Sequence, residues 1–271
     1  MRLTLPVVCS TMFVLITSTI GIAQDAARES AVPSKGRVET LQRFVAELVQ
    51  ITPGTAPFPD TVVLEDRTLK APNAFEISAY ETTQELYQLV MGSNPSRWKG
   101  PRNSVESMTK SQAIDFCKRL TFELRSEDLI PGAYVIRLPT DIEWEYACRA
   151  GSLTDFCFGT LQDSVTKLDE YAWHTGNAAG NDPAVGVLKP NQWGLYDTHG
   201  YLWEFVTVTP GGAVNDPPYQ VAAMGGSWRD AARNLTSHSR LEILATAISD
   251  AVGFRCVLAR QAPEVKNTVR Q

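Results

Sequence analysis

Three blocks in the second half of the chain decide its fold: Gly194-Leu-Tyr-Asp-Thr-His-Gly-Tyr-Leu-Trp-Glu-Phe205, Gly225-Gly-Ser-Trp-Arg-Asp230 and Gly253-Phe-Arg-Cys256. A fourth block, RLPTDIEWEYACRAG, precedes them at residues 137–151. Gly225 and Gly226 indicate an unusual backbone turn rather than a phosphate site, because no helix N-terminus follows them. Arg255, between two core-type residues, is expected to be buried in an ion pair with Glu143 or Glu145.

Capping boxes predict three helices, because a Thr and a Glu or Gln three residues later satisfy each other's backbone donors. The pairs are Thr82 with Glu85, Thr109 with Gln112, and Thr140 with Glu143. Beyond residue 152 the chain is rich in Gly, Pro, Asn and Asp, and its short apolar runs at 202–208, 221–224 and 254–258 are the predicted strands. Helices early and a loop-rich β region late predict an α+β fold.

The N-terminal fifty residues are predicted to precede the main domain. Residues 1–23 join Arg2 to a mostly apolar run and a Gly-Ile-Ala cleavage pattern. This is typical of a secretory signal, since a membrane anchor needs about 20 uninterrupted apolar residues. Residues 24–50 are a leader with a short amphipathic helix at 37–50, residues 51–260 the domain, and residues 261–271 a flexible tail. We expect a periplasmic or secreted protein with no stable membrane span once the signal is removed.

The composition excludes one class of partner. The chain is 44% hydrophobic and 20% charged, as in ordinary globular proteins, and its net charge is −5. Its Lys and Arg residues are scattered rather than clustered, so there is no electrostatic footprint for nucleic acid. We therefore expect no nucleic-acid partner.

The four blocks, in this order and spacing, resemble the formylglycine-generating-enzyme family, also called the sulfatase-modifying-factor family. Shorter matches at residues 75–84, 91–96 and 113–120 extend the resemblance over roughly residues 50 to 260. It implies the family's α+β variant of the C-type lectin fold, loop-rich, with few short helices and small antiparallel sheets. It also implies an enzyme that oxidises a sulfatase cysteine to formylglycine.

The resemblance implies copper held by two cysteines that follow the Gly-Gly-Ser-Trp block, and these positions are Asp230 and Leu235 here. Thiolates suit Cu(I), whereas a carboxylate is a hard ligand and leucine is no ligand. We therefore expect no copper and no oxidase activity. The alternative left open is an oxidoreductase that modifies sulfatases through another arrangement of Cys148, Cys157 or a histidine.

Four cysteines remain once the signal is removed, and three pairings are open to them on spacing alone. The resemblance implies a disulfide between Cys117 and Cys256. Cys148 and Cys157 are then left either to pair with each other or to stay reduced.

Calcium is the one cofactor left open. The resemblance implies that family members bind it near the Gly-Leu-Tyr-Asp block. Oxygen ligands are available there in Asn177, Asn181, Asp182, Asp197 and Glu204. The alternative is that Asp197 and Glu204 only fix backbone turns.

The resemblance also implies a ligand cleft around the Gly-Gly-Ser-Trp block. Its candidate residues are Phe205, Ser227, Trp228, Arg229, Asp230, Arg233 and Asn234. Our first hypothesis is an exported binding module for a protein, peptide or glycan, because this fold type serves all three. A further alternative is a structural component of an exported assembly that docks through the helix at 37–50.

Overall fold

A computed structural model describes residues 34–160, 165–178, 182–208 and 220–261. The predicted signal, the first part of the leader and residues 262–271 of the tail lie outside the described residues. The helices are α1 (Ser34–Ala46), α2 (Gln84–Met91), α3 (Lys110–Ser126), α4 (Asp141–Arg149) and α5 (Val165–Leu168). The strands are β1 (Leu48–Ile51), β2 (Thr61–Val63), β3 (Thr68–Lys70), β4 (Phe75–Ser78), β5 (Tyr134–Arg137), β6 (Trp203–Phe205), β7 (Gln220–Met224), β8 (Arg240–Leu244), β9 (Val252–Gly253) and β10 (Val257–Arg260).

The strands form two four-stranded sheets and one hairpin. The first sheet has the order β1-β4-β10-β5 and is antiparallel, with Leu48 opposite Ser78 and Val257 opposite Arg137. The second has the order β8-β7-β6-β9, and its β6–β9 pair is parallel. Strands β2 and β3 pair as the hairpin. The predicted loop-rich α+β fold with short helices and small, mainly antiparallel sheets is confirmed.

Two of the three predicted capping boxes are present. The hydroxyls of Thr109 and Thr140 each accept the backbone N–H three residues on, and their own backbone N–H groups donate to the side chains of Gln112 and Glu143. The prediction for α2 is wrong by one residue, because the hydroxyl of Thr83 accepts the Leu86 N–H. The backbone N–H of Thr82 instead donates to the Phe254 carbonyl.

The predicted leader is part of the domain from residue 34 onward, so the boundary at residue 51 lies too late. In α1, Leu41 is 0% exposed and Phe44 is 7% exposed, and both belong to the main core. Strand β1 pairs along its length with β4. The apolar face of α1 is therefore covered by this chain's own core, which contradicts its assignment as a docking element.

Aromatic rings join α2, α3 and the segment before β10: Tyr87 stacks on Phe116, and Phe254 contacts both rings edge-on. Beside them, the sulfur atoms of Cys117 and Cys256 lie 3.9 Å apart as buried free thiols. The family resemblance thus identified two neighbours, and the disulfide between them stays a prediction, which mass spectrometry of the unreduced protein tests.

We predict that Leu41→Ala lowers the free energy of unfolding by about 2–5 kcal/mol, because it opens a cavity in a fully buried position. Gln42→Ala, at the exposed neighbouring position, is the matched control and should have an effect below about 0.5 kcal/mol. Urea unfolding of the full chain measures both. Equal stabilities for the two variants would show that α1 does not contribute to the core.

Candidate functional site

A buried ion pair lies at the centre of the predicted site region. Arg255 and Glu204 are both fully buried, and Arg255 donates from Nε and Nη2 to the two carboxylate oxygens of Glu204 at 2.7 Å each. The indole Nε1 of Trp144 donates to the same carboxylate. The predicted partners of Arg255 are wrong, because Glu143 faces Arg137 and Glu145 faces Arg149.

Two further buried carboxyls surround this pair. Glu81 accepts from the Leu202 N–H and the Ser104 hydroxyl, and Asp197 accepts from the Gly186 N–H at 2.8 Å. Burial, followed by the charges of Glu204 and Asp197, raises the pKa of Glu81 well above its usual value. Burial also raises the pKa of Asp197 to about 6, against the lowering effects of the Gly186 bond and of Arg255.

Three of the predicted calcium ligands have hydrogen-bond partners within the protein. Both oxygens of Glu204 are used by Arg255 and Trp144, and the Asn177 amide bonds the backbone of its own turn. Asp182 accepts from Asn103 and Tyr201. Across the described ranges, no group of three His, Cys, Asp or Glu side chains is arranged to hold a metal ion.

Asp197 binds a backbone N–H, as in the alternative in which it fixes a turn, whereas Glu204 binds the side chains of Arg255 and Trp144. Asn181 lies outside the described residues. Calcium binding among Asn177, Asp182, Asp197 and Glu204 stays a prediction. Thermal melts with calcium and with a chelator test it, because an ion that binds only the folded state raises its stability.

Asp230 fixes the Gly-Gly-Ser-Trp loop. Its Oδ2 accepts from the Trp203 indole Nε1 at 2.8 Å, from the Ser227 hydroxyl at 2.6 Å and from the Ser227 N–H at 3.0 Å. The Thr175 N–H donates to its backbone carbonyl. A residue that stands at a copper-cysteine position is therefore the hydrogen-bond centre of the loop.

Leu235 fills the space behind this loop. It is 0% exposed and belongs to a small apolar cluster with Phe156, Phe158 and Leu168. Gly226 has φ +83°, and a Cβ placed on it would lie 2.2 Å from Leu235 Cδ2, so only glycine fits at this close approach. The residues present thus do not fit the copper that the resemblance implies.

The remaining thiols and His199 form a closed, structural arrangement. The Cys148 thiol donates to the Thr198 carbonyl at 3.4 Å, and burial raises its pKa to about 12. His199 Nδ1 donates to the Leu235 carbonyl at 2.8 Å, and Nε2 accepts the Cys157 N–H at 3.1 Å. Both ring nitrogens are used, and Cys148 and Cys157 are buried free thiols in this structure. Whether the two pair or stay reduced in the protein is a question that the same mass spectrometry answers.

The predicted cleft residues divide into buried and exposed groups. Phe205 is 1% exposed in the main core, so its assignment to a cleft is wrong, because β6 is covered on both faces. Ser227 is also buried, with its hydroxyl on Asp230. Trp228 is half-buried, and Arg229 is exposed. Arg233 and Asn234 are exposed on a short 3-10 helix, Ala232–Asn234.

The structure adds three residues that the sequence analysis missed: Arg97, Trp98 and Asp250. The Arg97 guanidinium lies 4.8 Å from the Trp98 ring centre, and that of Arg229 lies 4.6 Å from the Trp228 ring centre. Asp250 pairs with both guanidiniums and accepts the Trp228 indole N–H on its backbone carbonyl. We call these five residues the Arg–Trp clasp. The adjacent Arg97 and Trp98, with Trp228 and Arg229, were the sequence signal for it.

Away from the Arg–Trp clasp, a concavity of about 500 Å³ lies between the β2–β3 hairpin and the end of α4. Arg67 and Arg149 line it, and both donate to Glu145. Since its lining also holds acidic residues, its charges favour no single ligand class.

No helix in the described part of the chain is long and apolar enough to cross a membrane.

Comparisons with known proteins agree with this geometry. The model of the sulfatase-modifying factor enzyme 1-like domain matches residues 34–260. Chaperone protein LppX of Paenibacillus barcinonensis is 30% identical, over 48% of this chain and 62% of its own length. Inactive C-alpha-formylglycine-generating enzyme 2 of Mus musculus is 31% identical, over 47% of this chain and 44% of its own length.

Among solved structures, Treponema denticola variable protein 1 is 26% identical with a TM-score of 0.63, over 79% of this chain and 95% of that chain. This chain spans between 44% and 62% of the length of the two curated relatives above. The Treponema structure therefore shares the fold over 79% of this chain, and the activities of the curated relatives do not follow from the shared fold.

We predict that Asp197→Asn raises the free energy of unfolding near pH 7 by up to about 3 kcal/mol and has little effect near pH 4. The folded pKa of about 6 lies above the reference value of 3.8. The favourable contribution is therefore complete below the unfolded pKa and is lost as the pH rises through the folded pKa. Asparagine keeps an acceptor for Gly186 and tolerates the positive φ of this position.

Urea unfolding at several pH values, with chelator present, measures this effect. Asp66→Asn, at an exposed position, is the control and should leave the pH dependence unchanged. A variant with the same pH slope as the parent protein would show that Asp197 is ionised in the fold at no cost.

Proposed function

The chain belongs to the sulfatase-modifying factor enzyme 1-like family, and we propose that it is a binding module that lacks the family's oxidase chemistry and recognises protein or peptide segments. The observation that carries this proposal is the pair of residues at the copper-cysteine positions. Asp230 holds the loop through three hydrogen bonds, and Leu235 is part of the core. Both positions serve structure, and neither offers a soft ligand.

The geometry does not favour the rival oxidoreductase. A thiol reacts and binds metal as the thiolate, and burial raises the pKa of Cys148 to about 12. His199, its neighbour, uses both nitrogens in hydrogen bonds to backbone groups. An oxidase centre built from Cys148 and His199 would require these residues to leave their buried contacts.

The names of two relatives support a binding role with a protein ligand rather than a glycan. The mouse relative is described as inactive, and the Paenibacillus relative as a chaperone. Each of them matches less than half of this chain, so the ligand class is part of our proposal.

We also propose that the protein is exported to the periplasm or secreted. The proposal rests on the charged start, apolar run and small-residue cleavage pattern of residues 1–23. N-terminal sequencing of the protein from its native host tests it, and an intact N-terminus in a cytoplasmic fraction would contradict it.

We predict that the full chain, supplied with Cu(I), does not convert a cysteine-containing sulfatase peptide to formylglycine. The reason is that Asp230 and Leu235 provide no thiolate pair. Mass spectrometry of the peptide measures conversion, with an active member of the family as positive control. Turnover above the buffer background would contradict the proposal that the oxidase chemistry is lost.

The binding half of the proposal is tested on an array of short peptides that covers several unfolded model proteins. We expect saturable binding to a subset of the peptides by fluorescence anisotropy. If no peptide binds at millimolar concentration, the chain is not a peptide-binding module.

A further inference from the structure

We propose that the Arg–Trp clasp is the recognition surface and that its ligand is an acidic segment of a protein chain with apolar residues between its carboxylates. This inference rests on the proposed binding function and specifies the ligand class. It arises from the clasp's geometry, in which Asp250 holds two arginines that each stack on a neighbouring tryptophan.

The charge that the clasp presents to solvent is positive. The Asp250 side chain is only 9% exposed, whereas those of Arg97 and Arg229 are 63% and 50% exposed. Lys99, next to Trp98, is exposed as well. The chain as a whole carries a net charge of −5, so this patch differs in sign from the average surface. A local positive surface attracts acidic ligands and accelerates their association.

The hydrogen-bonding groups of the clasp are mainly donors. Each guanidinium has five N–H groups, and Asp250 engages one nitrogen of each arginine. The carboxylate of Asp250 is occupied by these two contacts, and its carbonyl by Trp228. The amide of Asn94 is also used, by Gln84 and by the Ser96 N–H. A ligand therefore has to bring acceptors, and carboxylates match a guanidinium best.

The apolar part of the surface favours a protein over a sulfated glycan. Trp98 is 47% exposed, and Ile248, two residues before Asp250, is 63% exposed. Large apolar side chains exposed beside cations can bury apolar side chains of a ligand, and aromatic and arginine residues are the usual anchors of protein interfaces. A sulfated glycan supplies anions but no apolar side chains.

The clasp is held in place before any ligand arrives. The Gln84 side chain donates to the Trp98 carbonyl at 2.7 Å, and Glu106 accepts the Trp98 N–H. On the other side of the clasp, the backbone N–H of Trp228 donates to the Tyr201 carbonyl. Both tryptophans therefore stand on backbone that is already fixed, which lowers the entropy lost on binding.

The test uses the full chain and a fluorescent peptide of alternating glutamate and leucine. A second peptide has lysine in place of glutamate, and heparin fragments serve as the anionic glycan. We expect the glutamate peptide to bind and the lysine peptide to bind at least about tenfold more weakly, with affinity for the former falling as sodium chloride is raised.

The variants are Arg97→Gln, Arg229→Gln, their combination, and Trp98→Ala. The double arginine variant should bind the glutamate peptide about tenfold more weakly, since each exposed charge contact contributes a few-fold. Arg119→Gln is the matched control, because Arg119 is 54% exposed and also pairs with one aspartate, Asp115. It should stay within about twofold of the parent protein, and melting temperatures verify that every variant is folded.

Three results would overturn the inference. Equal affinity for the two peptides would show that the ligand need not be acidic. Unchanged affinity in the folded double variant would show that the clasp does not bind the peptide. Either result would leave the proposed peptide binding by another surface intact. Tighter, arginine-dependent binding of heparin, with Trp98→Ala unchanged for the peptide, would assign the surface to a sulfated glycan. Failure of the whole peptide array would refute the proposed function itself.

Discussion

The structure depends on one fully buried ion pair, between Arg255 and Glu204. All five donors of Arg255 are used: two groups bind Glu204, and the others reach the carbonyls of Ser78, Ala79 and Tyr196. The pair therefore joins the segment before β10 to β6, β4 and the loop before Asp197. Such pairs cost desolvation and add little net stability, but loss of one partner leaves a buried charge and costs about 3–5 kcal/mol.

Sequence patterns predicted local features well and buried partners poorly. The capping boxes at Thr109 and Thr140 depend on residues three apart, so the sequence contains all the information they need. The partner of Arg255 lies far from it in the sequence, so no local pattern identifies it. Glu143 and Glu145 were the predicted partners, and only the strand pairing selects Glu204. The apolar spacing of α1 likewise predicts a helix but not which core covers it.

Only the part of the candidate site that lies in one continuous stretch of sequence was predictable. The order of the sequence blocks identified the loop that contains Asp230, and with it the missing thiolates. Arg97 and Arg229 come from distant segments and meet at Asp250 only in the folded chain. What replaced the copper ligands also required the structure, since a carboxylate at residue 230 could equally have been solvated. Its three hydrogen bonds show that the substitution was accommodated as part of the loop's support.

Strand β6 links the ion pair to the proposed binding surface. Successive strand residues point to opposite faces, so Glu204 faces Arg255 while the neighbouring Trp203 donates to Asp230. The backbone N–H of Trp203 donates to the carbonyl of Ala251, the residue after Asp250. A rigid core contact on one face and a fixed loop on the other thus share a single strand. The shape of this surface therefore does not depend on a metal: the loop takes its position from β6 and Asp230, and both contacts are made by the protein alone.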